Sequence, residues 1–271
     1  MEKRPQATLL KFPGTNCDGE TARALRLAGF AADIVPFSDA TRELICGSDL
    51  LVLPGGFSYG DYIGAGRLAR LEIQRKLGDA LLAYRSAGGL ILGICNGFQI
   101  LVQLGLLPEG RLIENASHAF LCRWVRLRTL CPDNPYLSAL PDVFELPIAH
   151  REGRFVARPG LAESYIASGL APLVYEDNVN GSACAIAGLQ DDSGRVFGLM
   201  PHPERFLYSE DHYDPDWGSG RVSASGAPSA GVSDASPPSA QSRWGWGYYF
   251  FKSIYNHLVR RDVSVGAGDP R

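Results

Sequence analysis

Residues 90–97 read Leu-Ile-Leu-Gly-Ile-Cys-Asn-Gly, and this stretch predicts a buried strand that turns sharply into a helix. The apolar run 90–94 suits a strand inside a sheet, and helix-forming residues follow it. Gly93 and Gly97 lie two residues on either side of Cys95, and small residues there let a strand reverse closely into a helix. The helix N-terminus would place backbone N–H groups and a positive dipole near the sulfur, which favours negative charge there. Two interpretations are open at this point: a cysteine nucleophile at a strained turn, or a buried cysteine that only packs.

The first half of the chain alternates strand-like and helical patterns. Apolar runs predict strands at 8–12, 34–37, 49–53 and 90–94 and helices at 18–29 and 67–87, with Asp18 as the expected cap of the first helix. This alternation predicts an α/β fold in three layers, a mostly parallel sheet flanked by helices. Functional loops of such sheets lie beyond the carboxyl ends of the strands. The Gly-rich turns after the first, third and fourth strands are therefore expected to meet at one edge.

The second half carries shorter apolar runs with turn residues between them. They predict strands at 121–127, 144–149, 154–157, 173–175, 183–189 and 196–200, and Asp191-Asp192-Ser193-Gly194 predicts a hairpin turn between the last two. We expect these strands to extend the same sheet in an antiparallel manner, so that residues 1–271 form a single domain. Twenty of the 26 residues in 218–243 are Gly, Ser, Ala or Pro, which predicts a low-complexity, disordered insertion. Residues 244–258 predict a final helix.

Composition and charge restrict the classes of function. The 271 residues are 45% hydrophobic, with a mean hydropathy of −0.05, a net charge of −3 and a pI near 6.0. These values give no electrostatic reason to expect nucleic acid or an anionic membrane as a partner. No apolar run has the length of a membrane span and the charged N-terminus is unlike a secretory leader, so we expect a cytoplasmic location. Six cysteines without a Cys-x-x-Cys pattern predict reduced thiols, and five histidines without ligand spacing predict no metal site.

A cysteine nucleophile needs a base, a group that orients the base and an oxyanion hole, and the sequence offers a candidate for each. His202 follows the last strand run and lies between two prolines, which stiffen the backbone and fix a non-helical presentation of the ring. Glu204 can accept a hydrogen bond from that ring and set its tautomer. The backbone N–H groups of Gly55-Gly56-Phe57, together with that of Asn96, are the candidate oxyanion donors. Without further context, two non-catalytic interpretations are also open. His202 and Glu204 could be a surface His-x-Glu pair, and the glycine turn could be an ordinary strand-to-helix connection.

Several motifs resemble one protein family. Gly-Ile-Cys-Asn-Gly-Phe-Gln (93–99) together with Pro-His-Pro-Glu (201–204) resembles the class I, triad-type glutamine amidotransferases. Five further segments narrow the resemblance to the glutaminase subunits of phosphoribosylformylglycinamidine synthase: Phe-Pro-Gly-Thr-Asn-Cys-Asp (12–18), Leu-Pro-Gly-Gly-Phe-Ser-Tyr-Gly-Asp (53–61), Pro-Ile-Ala-His-Arg-Glu-Gly-Arg (147–154), Asn-Val-Asn-Gly-Ser (178–182) and Gly-Leu-Met-Pro-His-Pro-Glu-Arg (198–205). The resemblance runs from about residue 8 to residue 210 and resumes in the final helix.

The resemblance implies a catalytic triad and a reaction. Cys95 would attack the side-chain amide of glutamine and form a glutamyl thioester with release of ammonia. His202 would help to protonate the ammonia and then activate the water that frees glutamate. Glu204 matches the third member of the family's triad.

The resemblance also implies binding residues and partners. Gly56 and Asn96 match the family's oxyanion donors, and Gln99 matches a residue that contacts the glutamine substrate. The ammonia would pass to a separate synthetase subunit, with a small third subunit in the same complex. This chain has no Gly-x-x-x-x-Gly-Lys-Ser/Thr loop for phosphate and is expected to need no cofactor, whereas ATP and Mg²⁺ would be used by the synthetase.

Alternatives are open both for single residues and for the whole chain. His150 begins a second His-x-Glu sequence and is a rival base; its other possible roles are at the partner interface or in the glutamine pocket. Cys17 lies in a family motif without an elbow glycine pair and is expected to be structural. Arg151 and Val179 replace a small residue and a proline that are usual in the family. The functional alternatives are a stand-alone cysteine amidohydrolase and a non-catalytic scaffold that binds a partner.

Deleting residues 220–242 is expected to leave the fold intact. The segment carries almost no apolar material, so its removal takes little buried surface from the folded state. Soluble expression and the thermal unfolding midpoint of the deletion variant measure this. Loss of soluble expression would contradict the prediction.

Overall fold

Strands and helices alternate along the part of the chain that the computed structural model describes, residues 4–61, 66–217 and 243–266. The strands are β1 (Gln6–Lys11), β2 (Ala31–Pro36), β3 (Leu50–Leu53), β4 (Leu90–Ile94), β5 (Arg111–Glu114), β6 (Leu121–Thr129), β7 (Val143–His150), β8 (Glu152–Val156), β9 (Leu173–Tyr175), β10 (Ile186–Gln190) and β11 (Val196–Leu199). The helices are α1 (Asp18–Ala28), α2 (Arg42–Cys46), α3 (Arg67–Ser86), α4 (Asn96–Gln103), α5 (Leu161–Ala167) and α6 (Trp246–Gly266). The predicted insertion at 218–243 lies outside the described residues except for Arg243.

The main sheet is half parallel and half antiparallel. Its strands follow the order β2-β1-β3-β4-β11-β10-β9-β6-β7. Neighbours from β2 to β11 are parallel, and neighbours from β11 to β7 are antiparallel. Strands β3 and β4 are buried along their whole length, as expected for parallel strands covered on both faces. The predicted α/β fold, a parallel sheet flanked by helices with an antiparallel extension, is confirmed, and the antiparallel part is as large as the parallel part.

Helices cover both faces of the parallel half. The chain moves from β1 through α1 to β2 in one direction along the sheet, and from β3 through α3 to β4 in the other. Because such crossovers are right-handed, α1 and α3 lie on opposite faces. Helix α6 packs beside α1, and α2 and α4 pack beside α3. The strand order therefore reverses between β1 and β3, which is where open α/β sheets bind ligands. Among the described residues, no helix combines the length and apolar character that a membrane span needs.

Two predictions about the second half are corrected by the strand pairing. The run at 154–157 does not extend the main sheet, because β8 pairs with β5 in a separate two-stranded sheet in which Leu112 lies opposite the buried Phe155. Strand β5 and helix α5 were not anticipated. The apolar run at 183–189 begins with a 3₁₀ turn, Ala183–Ala185, and the strand starts only at Ile186. An apolar run signals a strand, but not the partner with which it pairs.

The C-terminal end of α1 matches the sequence prediction, whereas the predicted N-terminal cap does not form. Gly29 ends the helix with φ +118, and its N–H reaches the carbonyl oxygens of Leu25 and Arg26, as a C-terminal glycine does. Asp18 does not cap the first turn, since its carboxylate binds the ammonium of Lys11 at 2.7 Å. The N-cap position belongs to Cys17, whose side chain makes no capping hydrogen bond. The sulfur of Cys17 is thereby left for other contacts.

The turn from β4 into α4 depends on close backbone approach. A Cβ on Gly97 would overlap the carbonyl oxygen of Leu53 in β3 and come 2.7 Å from the carbonyl carbon. A Cβ on Gly93 would meet the Gly97 carbonyl at 2.7 Å. Side chains at these positions would push α4 away from the sheet. The glycine pair around Cys95 is thus required by packing, and it lets the helix begin directly against β3.

Gly97→Ala is expected to destabilise the fold, whereas Gly78→Ala stabilises it. The new methyl at position 97 collides with backbone, which costs about 1–3 kcal/mol or more. Position 78 lies within α3, where a Cβ meets nothing within 4 Å, and alanine gains about 0.5–1 kcal/mol over glycine in a helix. Urea unfolding of both variants measures the difference. Equal stability of the two variants would contradict the close approach.

Candidate active site

Loops from distant parts of the sequence meet at the carboxyl ends of the parallel strands. The loops after β1 and β3 are joined by a hydrogen bond from the Cys17 N–H to the Gly55 carbonyl at 3.2 Å. The Asn96 side chain at the start of α4 accepts the Ser58 N–H at 3.3 Å. Gly56 has φ +143, and a Cβ there would come 2.7 Å from a backbone nitrogen of the β1 loop. The predicted meeting of the Gly-rich turns at one edge of the sheet is confirmed.

Cys95 occupies the turn between β4 and α4 in a strained conformation. Its φ of +50° and ψ of −103° are rare for a residue with a side chain. Its N–H donates to the Leu199 carbonyl at 2.8 Å, which ties the turn to β11. The residue is 7% exposed. The first N–H groups of α4 have no acceptor within the helix, so the turn offers donors to an anion beside the sulfur.

His202 and Glu204 form a buried pair directly after β11. The Nδ1 atom of His202 lies 2.6 Å from Oε1 of Glu204, and both side chains are almost wholly inaccessible. Because a carboxylate only accepts, Nδ1 carries the hydrogen. The His202 N–H donates to the Pro147 carbonyl at 2.8 Å, which fixes the segment against β7. The fold therefore brings together the two residues that the sequence suggested as a pair, and His202 lines the same pocket as Cys95.

The environment of His202 favours its protonated form. Burial disfavours charge on the ring, but the Glu204 carboxylate and the nearby thiols of Cys95 and Cys17 outweigh it and raise the pKa of His202 well above its usual value. Within the described part of the chain, the Nε2 atom has no hydrogen-bond partner. A histidine of this kind has Nδ1 fixed by its carboxylate and Nε2 left for a ligand.

Cys17 lies in the same site, which sequence reasoning missed. Its sulfur accepts a hydrogen bond from Nη2 of Arg205 at 3.3 Å. A Cβ on Gly55 would meet this sulfur at 3.3 Å and Cε1 of His202 at 2.9 Å, so both groups crowd the same glycine. The ligand atoms of Cys17, His202 and Glu204 lie within 4.8 Å of one another, a spacing that a metal ion can use. Positions 17 and 202 share no sequence spacing, so only the fold reveals this group; the expectation of no metal stays a prediction.

A pocket of about 280 Å³ opens beside these residues. Its wall includes Gly56, Cys95, Gln99 and His202. The Gln99 side chain is already engaged on both atoms: its Nε2 donates to the Glu152 carbonyl and its Oε1 accepts from Nδ2 of Asn96 at 2.9 Å. Gln99 thereby fixes the start of β8 against α4. The size of the pocket suits a single small molecule.

His150 lines this pocket but has a different partner from His202. Its Nδ1 lies 3.1 Å from Oδ1 of Asn115, so the spacing to Glu152 does not produce a second histidine–carboxylate pair. Burial and the charge of nearby His202 lower the pKa of His150 to about 4. The two histidines therefore differ in charge state: the His150 ring is held neutral, whereas the surroundings of His202 favour its protonated form. The alternative in which His150 lies in the pocket agrees with the structure.

Comparisons with known proteins agree with this geometry. Residues 4–224 match the family model described as a CobB/CobQ-like glutamine amidotransferase domain. The chain is 39% identical over 229 residues to phosphoribosylformylglycinamidine synthase subunit PurQ of Dehalococcoides mccartyi, covering 77% of this chain and 88% of the relative. It is 41% identical over 204 residues to the PurQ subunit of Thermotoga maritima, covering 74% and 88%. The chain belongs to the PurQ family of glutamine amidotransferases.

A solved relative extends the agreement to the fold of almost the whole chain. The structure of PurLQS from Thermotoga maritima matches with a TM-score of 0.72 and 34% identity, covering 94% of this chain and all of the relative's. The family resemblance inferred from the motifs is therefore confirmed.

Glu204→Gln is expected to lower the pKa of His202. The neutral amide no longer stabilises the imidazolium, while burial still disfavours it. NMR titration of the histidine side chains measures the change. In the folded wild type the raised pKa adds stability in full below the pKa of the unfolded chain, and this contribution is lost as the pH rises through the folded-state pKa.

The matched control for this titration is Glu20→Gln. Glu20 contacts Arg205 at 3.3 Å with its side chain 52% exposed, and its removal should leave the titration of His202 nearly unchanged. If the Glu204 variant kept the wild-type pKa at His202, the carboxylate would not be what maintains the protonated ring.

Proposed function

We propose that this chain is the glutaminase subunit of a phosphoribosylformylglycinamidine synthase and hydrolyses glutamine to supply ammonia for de novo purine biosynthesis. The observation that carries the proposal is a buried Cys95 on a strained turn beside the bonded pair of His202 and Glu204, in a chain of the PurQ family. The pocket beside them is of a size that suits one amino acid. A cytoplasmic location is part of the same proposal.

The first half-reaction releases ammonia. The Cys95 thiolate forms a bond to the carboxamide carbon of glutamine, and the C=O electron pair moves to oxygen. The N–H groups of Gly56 and Asn96 donate to this oxyanion. The His202 imidazolium then gives its Nε2 proton to the amide nitrogen, the C–N bond breaks, and ammonia leaves a glutamyl thioester on the sulfur. We propose that Gln99, in the pocket wall, contacts the bound glutamine.

The second half-reaction returns the enzyme to its starting state. Neutral His202 takes a proton from water as the water oxygen bonds to the thioester carbon. The C–S bond breaks, glutamate leaves, and the thiolate faces an imidazolium again. Glu204 holds the hydrogen of Nδ1 and stabilises the imidazolium in both halves, which agrees with the raised pKa of His202.

The ammonia requires an acceptor on another chain. The solved relative from Thermotoga maritima is a PurLQS complex, which supports assembly of this chain with a synthetase subunit and a small third subunit. We propose that the synthetase uses ATP and Mg²⁺ for the amidine-forming step and that this chain supplies no cofactor of its own.

Cys95→Ala is expected to abolish glutamine-dependent amidine formation by the complex and to leave ammonia-dependent formation intact. Loss of the nucleophile removes the thioester route, whereas added ammonia bypasses it. Amidine formation is measured with glutamine and with ammonium salt as alternative nitrogen sources.

Cys46→Ala serves as the control, because Cys46 is an exposed thiol in α2 and is remote from the proposed chemistry. It should retain both activities. Glutamine-dependent activity in the Cys95 variant would disprove the role of Cys95. Absence of glutamine-dependent activity in the wild-type complex would disprove the proposed function as a whole.

A further inference from the structure

His150 is a buried pocket residue with no role in the two proposed half-reactions of Cys95 and His202. The residue is 3% exposed, and among the described residues its Nε2 atom has no hydrogen-bond partner. A buried polar atom without a partner costs free energy unless a ligand satisfies it. The Nε2 atom of His150 is therefore available for a hydrogen bond with a ligand in the pocket.

Asn115 fixes the tautomer of that ring. The Nδ2 atom of Asn115 donates to the carbonyls of Ala119 and His150, both at 2.9 Å, so its Oδ1 is the atom that faces Nδ1 of His150. An amide oxygen only accepts, so Nδ1 of His150 carries the hydrogen. The Nε2 atom then carries a lone pair and can only accept a hydrogen bond.

The surrounding motifs hold the ring in place. A Cβ on Gly153 would overlap the His150 ring and come 2.7 Å from its Cγ, so the backbone at 153 packs directly on the imidazole. Asn180 donates to the Gly153 carbonyl at 2.9 Å and accepts from the Ser182 hydroxyl at 2.8 Å. The segments 147–154 and 178–182, distant in sequence, thus form one support for His150.

A neutral acceptor selects a particular kind of partner. Burial and the charge of His202 keep the ring unprotonated at neutral pH, since its pKa is about 4. Such a ring accepts an N–H without donating a proton in return. An ammonium group in a dry pocket is better matched by a carboxylate, whereas a carboxamide N–H needs only a neutral acceptor.

We propose that Nε2 of His150 accepts a hydrogen bond from the carboxamide nitrogen of glutamine, the atom that leaves as ammonia. This rests on the proposed glutaminase function and assigns a substrate-binding residue within it. Holding one N–H of the nitrogen turns its lone pair toward the His202 imidazolium as the carbon becomes tetrahedral. The hydrogen bond strengthens as the leaving nitrogen takes the proton of His202 and gains positive charge, so its loss lowers kcat more than it raises KM.

The test compares two substrates in the complex with the synthetase subunit. The leaving group of glutamine is an amide nitrogen with N–H bonds. The leaving group of γ-glutamyl methyl ester is a methoxy oxygen, which has no N–H bond. His150→Leu should lower kcat for glutamine about tenfold or more, and should change ester hydrolysis by less than about threefold because the ester has no N–H to lose. His150→Gln, which restores an acceptor oxygen, should recover part of the glutamine activity.

Two controls make the result decisive. His118→Leu changes an exposed histidine of the neighbouring loop, with a side chain that is 77% exposed, and should leave both substrates unaffected. Retained ester hydrolysis shows that the His150 variant is folded. Equal loss on both substrates would overturn the proposal, because His150 would then contact a part of the substrate common to both or only shape the pocket. No loss on glutamine would overturn it as well, whereas failure of the wild type to hydrolyse glutamine would overturn the proposed function itself.

Discussion

The reversal of the chain at Cys95 is the constraint on which the rest of the site depends. The helix α4 begins so close to β3 that Gly97 touches the carbonyl of Leu53. This contact requires a sharp turn in which Cys95 has a φ of +50°. Parallel pairing of β4 with β3 and β11 holds the turn from both sides. Since the strain is fixed by backbone packing, the sulfur keeps its position over the helix N-terminus without help from a ligand.

The same sheet edge brings the other groups to that sulfur. Strand β11 lies beside β4, so the segment after it delivers His202 and Glu204 next to the turn. The loop after β3 brings Gly56 from the other side. The parallel strands end together at the edge where the strand order reverses. This single topological feature accounts for a site built from residues more than a hundred positions apart.

How much the sequence predicts depends on the range of each interaction. Strand β4 is predicted to the residue because an apolar run bounded by glycines is a local signal, and His202 and Glu204 are found because their contact spans two residues. The partner of β8 and the environment of Cys17 depend on contacts across long stretches of chain, which local patterns do not encode. The same holds for His150, whose spacing to Glu152 suggests a pair, while its actual partner Asn115 lies 35 residues away.

The most direct test of the account is to find the glutamyl intermediate on the protein. The complex is mixed with labelled glutamine, quenched in acid within one turnover and digested, and the labelled peptide is identified by mass spectrometry. The account predicts a glutamyl thioester on Cys95 and none on Cys17, which shares the pocket. Label on Cys17, or rapid ammonia release with no label on Cys95, would contradict it.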